Sequence, residues 1–113
     1  MKTLYVFCTT QFEFLHRWPE AEKPVEYLSY LHRHMFHVKV MVKVTHHNRD
    51  VEFITLKNNV DEFIRTHKPA WGTTMSCEDM CERIGIDLLN QGIKVALVEV
   101  SEDGENGAVV TYE

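Results

Sequence analysis

Apolar and polar residues alternate in two long runs near the start of the chain. In Leu4–His16 one parity is mostly apolar and ends on a histidine, and a second run of this kind spans residues 31–45. Alternation with period two places successive side chains on opposite faces of a strand, so each run predicts a strand with one buried face. Residues 17–29 between them contain two prolines and predict a loop. We expect the two long strands to form a wide antiparallel pair.

Helical spacing replaces this alternation in the middle of the chain. Residues 54–66 repeat apolar side chains every three or four positions, which predicts an amphipathic helix. A second helix is predicted to begin after Ser76, an N-cap residue followed by an acidic first turn, and to end at Gly92. The final part predicts two strands, 94–100 and 108–112, joined by the turn-forming sequence SEDGENG.

The predicted order of elements is therefore ββααββ. This order predicts an α+β fold, with a four-stranded antiparallel sheet that carries two helices on one face. The chain has 113 residues, of which 44% are hydrophobic, and this is enough for one core. Residues 1–113 are accordingly interpreted as a single domain.

Composition narrows the classes of function. The net charge is -5 and no cluster of Lys and Arg is longer than a pair, which argues against nucleic acid as a partner. Three cysteines without a CxxC motif do not form a disulfide framework and favour a reducing compartment. No stretch has the length and apolarity of a signal peptide or a membrane span, so we expect a cytoplasmic protein without a membrane partner.

Histidines interrupt the apolar face of the second predicted strand. The sequence HRHMFHV places His32 and His34 on the side that continues with Phe36 and a series of valines. A buried polar group without a partner costs about 1–3 kcal/mol, so the ring nitrogens on this face need partners. A metal ion is one partner that would use both histidines.

Several motifs resemble the family of 6-pyruvoyl-tetrahydropterin synthase and 6-carboxy-tetrahydropterin synthase. FEFLHR followed by LHRHMFHVKV is similar to the family's FxxAHR and LHGHxYxVxV. VEFITLK resembles VxDFxxLK, MSCEDM resembles the PTxEN helix start, and VALVEVSEDGENGAVVTY resembles the ending VxVxETxxxxAxY. The resemblance covers nearly the whole chain. It implies the tunnelling fold, in which ββααββ domains assemble into an oligomeric barrel.

The resemblance also implies that a zinc ion (Zn2+) binds His16, His32 and His34. Zinc prefers imidazole and thiolate ligands, and a catalytic zinc usually keeps an open position for water beside three protein ligands. Two histidines at i and i+2 of a strand lie about 7 Å apart at Cα, a span that two imidazoles can close on one ion. His16, at the end of the neighbouring strand, supplies the third ligand. The other histidines of these segments are interpreted as solvent-facing: His37, His46 and His47.

Four further residues receive roles from the resemblance. Glu99, an acid within the apolar run VALVEV, corresponds to the glutamate that holds the pterin, whose ring N–H and exocyclic amine can both donate to one carboxylate. Glu78 is either a pterin-pocket residue or an acid favoured in the first turn by the helix dipole. His67 corresponds to the catalytic histidine. Glu26 is the candidate base, as in the members that use glutamate.

The chain departs from the family at the catalytic positions. Leu28 replaces the cysteine that serves as the usual base, and Glu26 is displaced by two positions from that place. Thr66 stands where an aspartate would orient and charge His67, a change that should weaken acid-base catalysis. Cys77 is either a relocated thiol or a buried cysteine without a reactive role.

Two functions of different classes remain open at this point. The first is a zinc-dependent lyase that acts on 7,8-dihydroneopterin triphosphate or a related pterin, with altered or weakened chemistry. The second is a catalytically inactive module that binds zinc and a pterin or purine. In either case exposed sheet edges in so small a domain, together with the family's barrels, predict a trimer or a pair of trimers with each site at a subunit boundary.

Overall fold

A single four-stranded antiparallel sheet, in the order β1-β2-β3-β4, forms the framework of the molecule. The computed structural model describes residues 1–113. The strands are β1 (Leu4–His16), β2 (His32–Val44), β3 (Val95–Glu102) and β4 (Asn106–Thr111), and the helices are α1 (Phe53–His67) and α2 (Cys77–Asn90). This architecture confirms the predicted α+β class and the ββααββ order of the tunnelling fold. The predicted loop 17–29 contains a short 3-10 helix, Glu26–Ser29, and a second one, Lys68–Ala70, follows α1.

The first two strands pair along their whole length. The register runs from Leu4 opposite Val44 to His16 opposite His32. The predicted parity is confirmed because alternate residues of β2, beginning with Phe36 at 0% exposure, are buried against the helices. This register brings the histidine that ends β1 to the same corner of the sheet as the histidines that begin β2.

Both helices cover one face of the sheet. α1 packs against β1, and α2 packs against β3 and β4. Each helix buries one apolar stripe in the core, which α1 fills with Leu56, Val60, Phe63 and Ile64, and α2 with Met80, Ile84 and Leu88 among others. The opposite face of the sheet has no covering layer in this chain, so its side chains face solvent. Neither helix is long and apolar enough to cross a membrane.

Side-chain caps define where the helices begin. Ser76 is the N-cap of α2 as predicted, and it forms a reciprocal capping box with Asp79. The N-cap of α1 is Glu52, whose carboxylate accepts the N–H groups of Ile54 (2.7 Å) and Thr55 (2.9 Å). Both caps thus supply acceptors for backbone N–H groups that the first turn of a helix leaves without partners.

β3 extends two residues beyond the predicted end. The strand continues to Glu102, and only three residues, 103–105, separate it from β4. Within the turn the N–H of Glu105 donates to the carbonyl of Glu102 (3.0 Å), and φ is positive at Asp103 and Gly104. The predicted connection SEDGENG is therefore longer than the turn that the structure shows. Its first two residues remain extended because they pair with β2 and β4.

The side chains of β3 alternate between core and solvent. Val98 and Val100 are 0% exposed, whereas Glu99 between them lies on the uncovered face and is exposed. The interpretation of Glu99 as an acid inside a buried run is wrong, because the helices cover only one side of this strand. The face that carries the two valines continues to Glu102.

Candidate metal centre

Three histidines and one glutamate meet where β1 ends, β2 begins and β3 ends. One ligand atom from each of His16, His32, His34 and Glu102 lies within 4.8 Å of every other. His16 is buried and the other three are half-buried. Glu102 reaches this corner because it pairs with Phe36, two residues beyond His34 on the same face of β2. The structure thus brings together all three predicted histidine ligands.

Every histidine of the cluster uses Nδ1 to bind an acceptor outside the cluster. The acceptors of His16, His32 and His34 are, in that order, the carbonyl of Met75, the carbonyl of Tyr30 and the carboxylate of Asp103, each at 2.8 Å. Carbonyl and carboxylate oxygens only accept, so each Nδ1 carries the proton and each neutral ring keeps a lone pair on Nε2. Three Nε2 lone pairs are therefore available for one centre.

Glu102 faces those lone pairs at short range. Its Oε2 lies 3.0 Å from Nε2 of His16, and its Oε1 lies 3.6 Å from Nε2 of His34. Nε2 of His16 is buried and has no hydrogen-bond partner of acceptable geometry. A buried ring nitrogen that faces a carboxylate oxygen as a second acceptor is unfavourable unless a proton or a metal ion lies between them. A proton would relieve one such contact, whereas a metal ion would satisfy all four groups.

The donor set fits a divalent ion. Imidazole nitrogens and a carboxylate oxygen are ligands of zinc and related transition metals, and four of them match a tetrahedral site. The outer partners of the histidines also match such sites, in which the second ring N–H donates to a carbonyl or carboxylate. The four residues can therefore hold a metal ion.

A cavity of about 480 Å³ opens beside this cluster. Its walls include Trp18 and Leu28 from the loop after β1, and Cys77 and Glu78 from the first turn of α2. Backbone hydrogen bonds shape the entrance, from Arg17 N to Thr73 O (2.7 Å) and from Trp18 N to Leu28 O (2.8 Å). The indole of Trp18 is 51% exposed and offers a flat apolar face beside the histidines.

Three predicted site residues lie away from this cavity within the chain. Glu26 is exposed in its short helix, and Leu28 lines the wall instead. His67 is exposed at the end of α1, where its Nδ1 donates to the carbonyl of Phe63 (3.0 Å) and its ring stacks on the Phe63 ring. Glu99 lies on the uncovered face of the sheet. Glu78 is the one predicted pocket acid that lines the cavity, and the catalytic and pterin-binding roles stay predictions.

The thiol in the cavity wall is protonated at neutral pH. Burial, and to a smaller extent the nearby carboxylate of Glu102, raise the pKa of Cys77 to about 12. A thiol in this state is a poor nucleophile and a poor base. This favours the interpretation of Cys77 as a buried cysteine without a reactive role.

Glu102 is the member of this group that sequence reasoning missed. The pattern VxVxE, when started at Val98, passes through Val100 and ends on Glu102 rather than on Glu99. This register agrees with the alternation of buried residues in β3, where Val98, Val100 and Glu102 share a face. Parity with these two valines places Glu102, unlike Glu99, on the face of the sheet that carries the three histidines.

Comparison with known proteins supports the fold and leaves the function open. No protein-family model matches the chain, and no curated protein matches it. Among solved structures, the chain is similar to the uncharacterised protein WS1659 from Wolinella succinogenes, with a TM-score of 0.64 and 16% identity. The match covers 97% of this chain and 99% of that one. At this identity the likeness shows a shared fold alone.

Proposed function

We propose that the protein binds one zinc ion through His16, His32, His34 and Glu102, and uses it to act on a pterin-type small molecule. The observation that carries this proposal is that ligand atoms of these four residues lie within 4.8 Å of one another, while Nδ1 of every histidine already has an acceptor outside the group. Zinc accepts this donor set in tetrahedral geometry. The sequence motifs shared with the tetrahydropterin synthases support a pterin, of which 7,8-dihydroneopterin triphosphate is the first candidate.

Residues around the cavity suit such a substrate. The half-exposed indole of Trp18 provides a stacking surface for a planar ring, and the carboxylate of Glu78 can accept ring N–H groups. Bound zinc would polarise hydroxyl and carbonyl oxygens of the substrate side chain. Glu102, one of the four residues that would hold the ion, also lines the cavity, where its carboxylate could accept a proton from the substrate side chain.

We also expect the chain to assemble into a trimer or a pair of trimers. β1 and β4 are the edges of the sheet and leave backbone groups unpaired, and the uncovered face exposes Phe7 (56%) and Leu15 (49%). If each site lies at a subunit boundary, Glu99 and His67 of one subunit could line the cavity of its neighbour. Light scattering should give the mass of a trimer or hexamer, and a monomer at micromolar concentration would contradict this expectation.

A second candidate function is an inactive module that binds zinc and a pterin or purine. The observation that favours it is the cavity wall, where Leu28 stands in place of the usual thiol and neither Glu26 nor His67 is present. In this case the metal and the pocket would select a ligand without converting it.

One experiment separates the two functions. Zinc-loaded protein is incubated with 7,8-dihydroneopterin triphosphate, and the products are identified by mass spectrometry. Binding is followed by calorimetry and by intrinsic tryptophan fluorescence. For the enzyme we expect triphosphate release that His67→Ala lowers at least tenfold. This bound is conservative, because acid-base groups typically contribute about 10²–10⁴-fold to the rate. The matched control, His37→Ala, should leave release unchanged. Tight binding without release supports the module, and absence of both zinc and pterin binding contradicts both proposals.

A further inference from the structure

We infer that Asp103 is a positioning residue of the metal centre, because its carboxylate holds His34 in the tautomer and orientation that metal binding requires. Its Oδ2 accepts the Nδ1–H of His34 (2.8 Å), and its Oδ1 accepts the backbone N–H of Met35 (3.1 Å). Both oxygens of one side chain are thereby committed to β2. The inference rests on the zinc centre proposed above and adds a residue that does not touch the ion.

The other two histidines of the cluster are held differently. Nδ1 of His16 and Nδ1 of His32 donate to main-chain carbonyls, which every amino acid provides. A substitution at Met75 or Tyr30 therefore leaves these acceptors in place. The acceptor of His34 is a side chain. Of the three acceptors, the carboxylate of Asp103 is therefore the one that a single substitution can remove.

The backbone at Asp103 does not by itself explain why an aspartate is present. Its φ is +56°, and the next residue, Gly104, has φ +74°. Turns with positive φ at both central residues favour Gly, Asn and Asp. Any of these three would suit the turn, but only aspartate offers two charged acceptors, and both are used. The choice of a carboxylate is explained by what it binds on β2.

The same carboxylate changes the electronic state of the ligand. A carboxylate that accepts the second N–H of a ligating histidine fixes the tautomer and makes the metal-facing nitrogen a stronger donor. Loss of such an outer partner typically lowers metal affinity about 10- to 100-fold. Without Asp103, His34 can place its proton on Nε2 and turn a donor N–H toward the centre.

Two substitutions at one position separate positioning from a role in the turn. Asp103→Asn and Asp103→Gly both suit a positive φ, but the amide keeps only one acceptor and glycine keeps none. We expect zinc affinity, measured by competition with a chromophoric chelator, to fall about 10- to 100-fold, with glycine the weaker binder. The matched control is Asp50→Asn, since Asp50 also accepts two bonds, both from Thr45 (2.8 and 3.0 Å), at the other end of β2. Its zinc affinity should equal that of the wild type.

A spectroscopic measurement supplies a readout that a purely structural role would not change. Long-range ¹⁵N–¹H correlations of the metal-free protein report the ring tautomers, and we expect Nδ1–H at His34 in the wild type and a shift toward Nε2–H in Asp103→Gly. His16 and His32 should keep their tautomers in both proteins. Equal zinc affinity and an unchanged His34 tautomer in both variants would overturn the inference while the zinc centre stands. Absence of zinc from the wild type would overturn the proposed function together with it.

Discussion

Histidines gather at both ends of the β1–β2 pair, and the two groups differ in which nitrogen is occupied. At the far end, His46 and His47 are adjacent and exposed. Nδ1 of His46 accepts the N–H of Asn48 (3.1 Å), and its Nε2 faces the carboxylate of Asp50 at 3.6 Å. The acceptor bond at Nδ1 leaves the proton on Nε2, so this ring offers no free lone pair.

The cluster of His16, His32 and His34 has the opposite arrangement. There each Nδ1 donates and each Nε2 is left free. The comparison shows that the density of histidines in the sequence does not define a metal site. The candidate centre differs in the outer partners that occupy Nδ1 of each histidine, and in the strand register that brings its side chains together.

The largest effect is expected when histidines of the candidate metal centre are substituted and those at the far end of the strand pair are kept. The double substitution His32→Ala and His34→Ala removes two of four ligands, so zinc measured by mass spectrometry after gel filtration should fall from about one ion per chain to none. The double substitution His46→Ala and His47→Ala should leave zinc content unchanged. Retention of zinc in the first variant, or its loss in the second, would contradict the assignment.

A smaller effect is expected from the two glutamates of β3. Glu102→Gln replaces a charged ligand with a neutral amide, and we expect zinc affinity to fall at least as far as the loss of an outer partner would lower it, about 10- to 100-fold. Glu99→Gln makes the same chemical change on the uncovered face and should leave zinc affinity unchanged. Titration against a competing chelator measures the zinc affinity of both variants. Equal losses of affinity in the two variants would contradict the assignment of Glu102, rather than Glu99, to the metal centre.

The smallest effect concerns stability at the far end of the sheet. The N–H and hydroxyl of Thr45 hold the pKa of Asp50 below its usual range. A carboxyl whose pKa is lowered by folding stabilises the protein above its unfolded pKa, about 3.9, and this contribution is lost as the pH falls through the folded value. Asp50→Asn should therefore flatten the decline in unfolding free energy of the metal-free protein below about pH 4. Denaturant titration measures the unfolding free energy at each pH. An identical decline in wild type and variant would show that Asp50 does not contribute to the pH dependence of stability.

Much of the fold follows from local patterns in the sequence. The bounds of β1 and the face of β2 that carries His32 and His34 follow from simple alternation, because both strands have one covered and one uncovered side. The start of α2 follows from Ser76, whose capping chemistry is local. These features were predictable because residues close in sequence determine them.

The rest of the site depends on contacts between distant segments. The carbonyl that orients His16 belongs to Met75, and Glu102 reaches the cluster only through the register of β3 on β2. The contact between Met75 and His16 leaves no local pattern. Alternation in β3 gives only the face on which Glu102 lies, and the turn residues that begin at Ser101 concealed how far the strand extends. Within one chain, tertiary packing places Glu26 and His67 away from the cavity, and the motifs that gave these residues their predicted roles contain no information about that packing.

The positions of the four ligands along the chain also bear on the order of folding. Pairing of β1 with β2 is enough to bring His16, His32 and His34 together, whereas Glu102 follows both helices in the chain and reaches them only when β3 pairs with β2. An ion already bound by the β1–β2 pair would close the segment between His34 and Glu102 into a loop when Glu102 binds. Bringing together residues so far apart in sequence is the slow part of folding for a domain with distant contacts. Zinc present during synthesis would thus act as a nucleus on which the second half of the domain assembles. Chelation should slow refolding more than it speeds unfolding if the ion already holds the hairpin in the transition state.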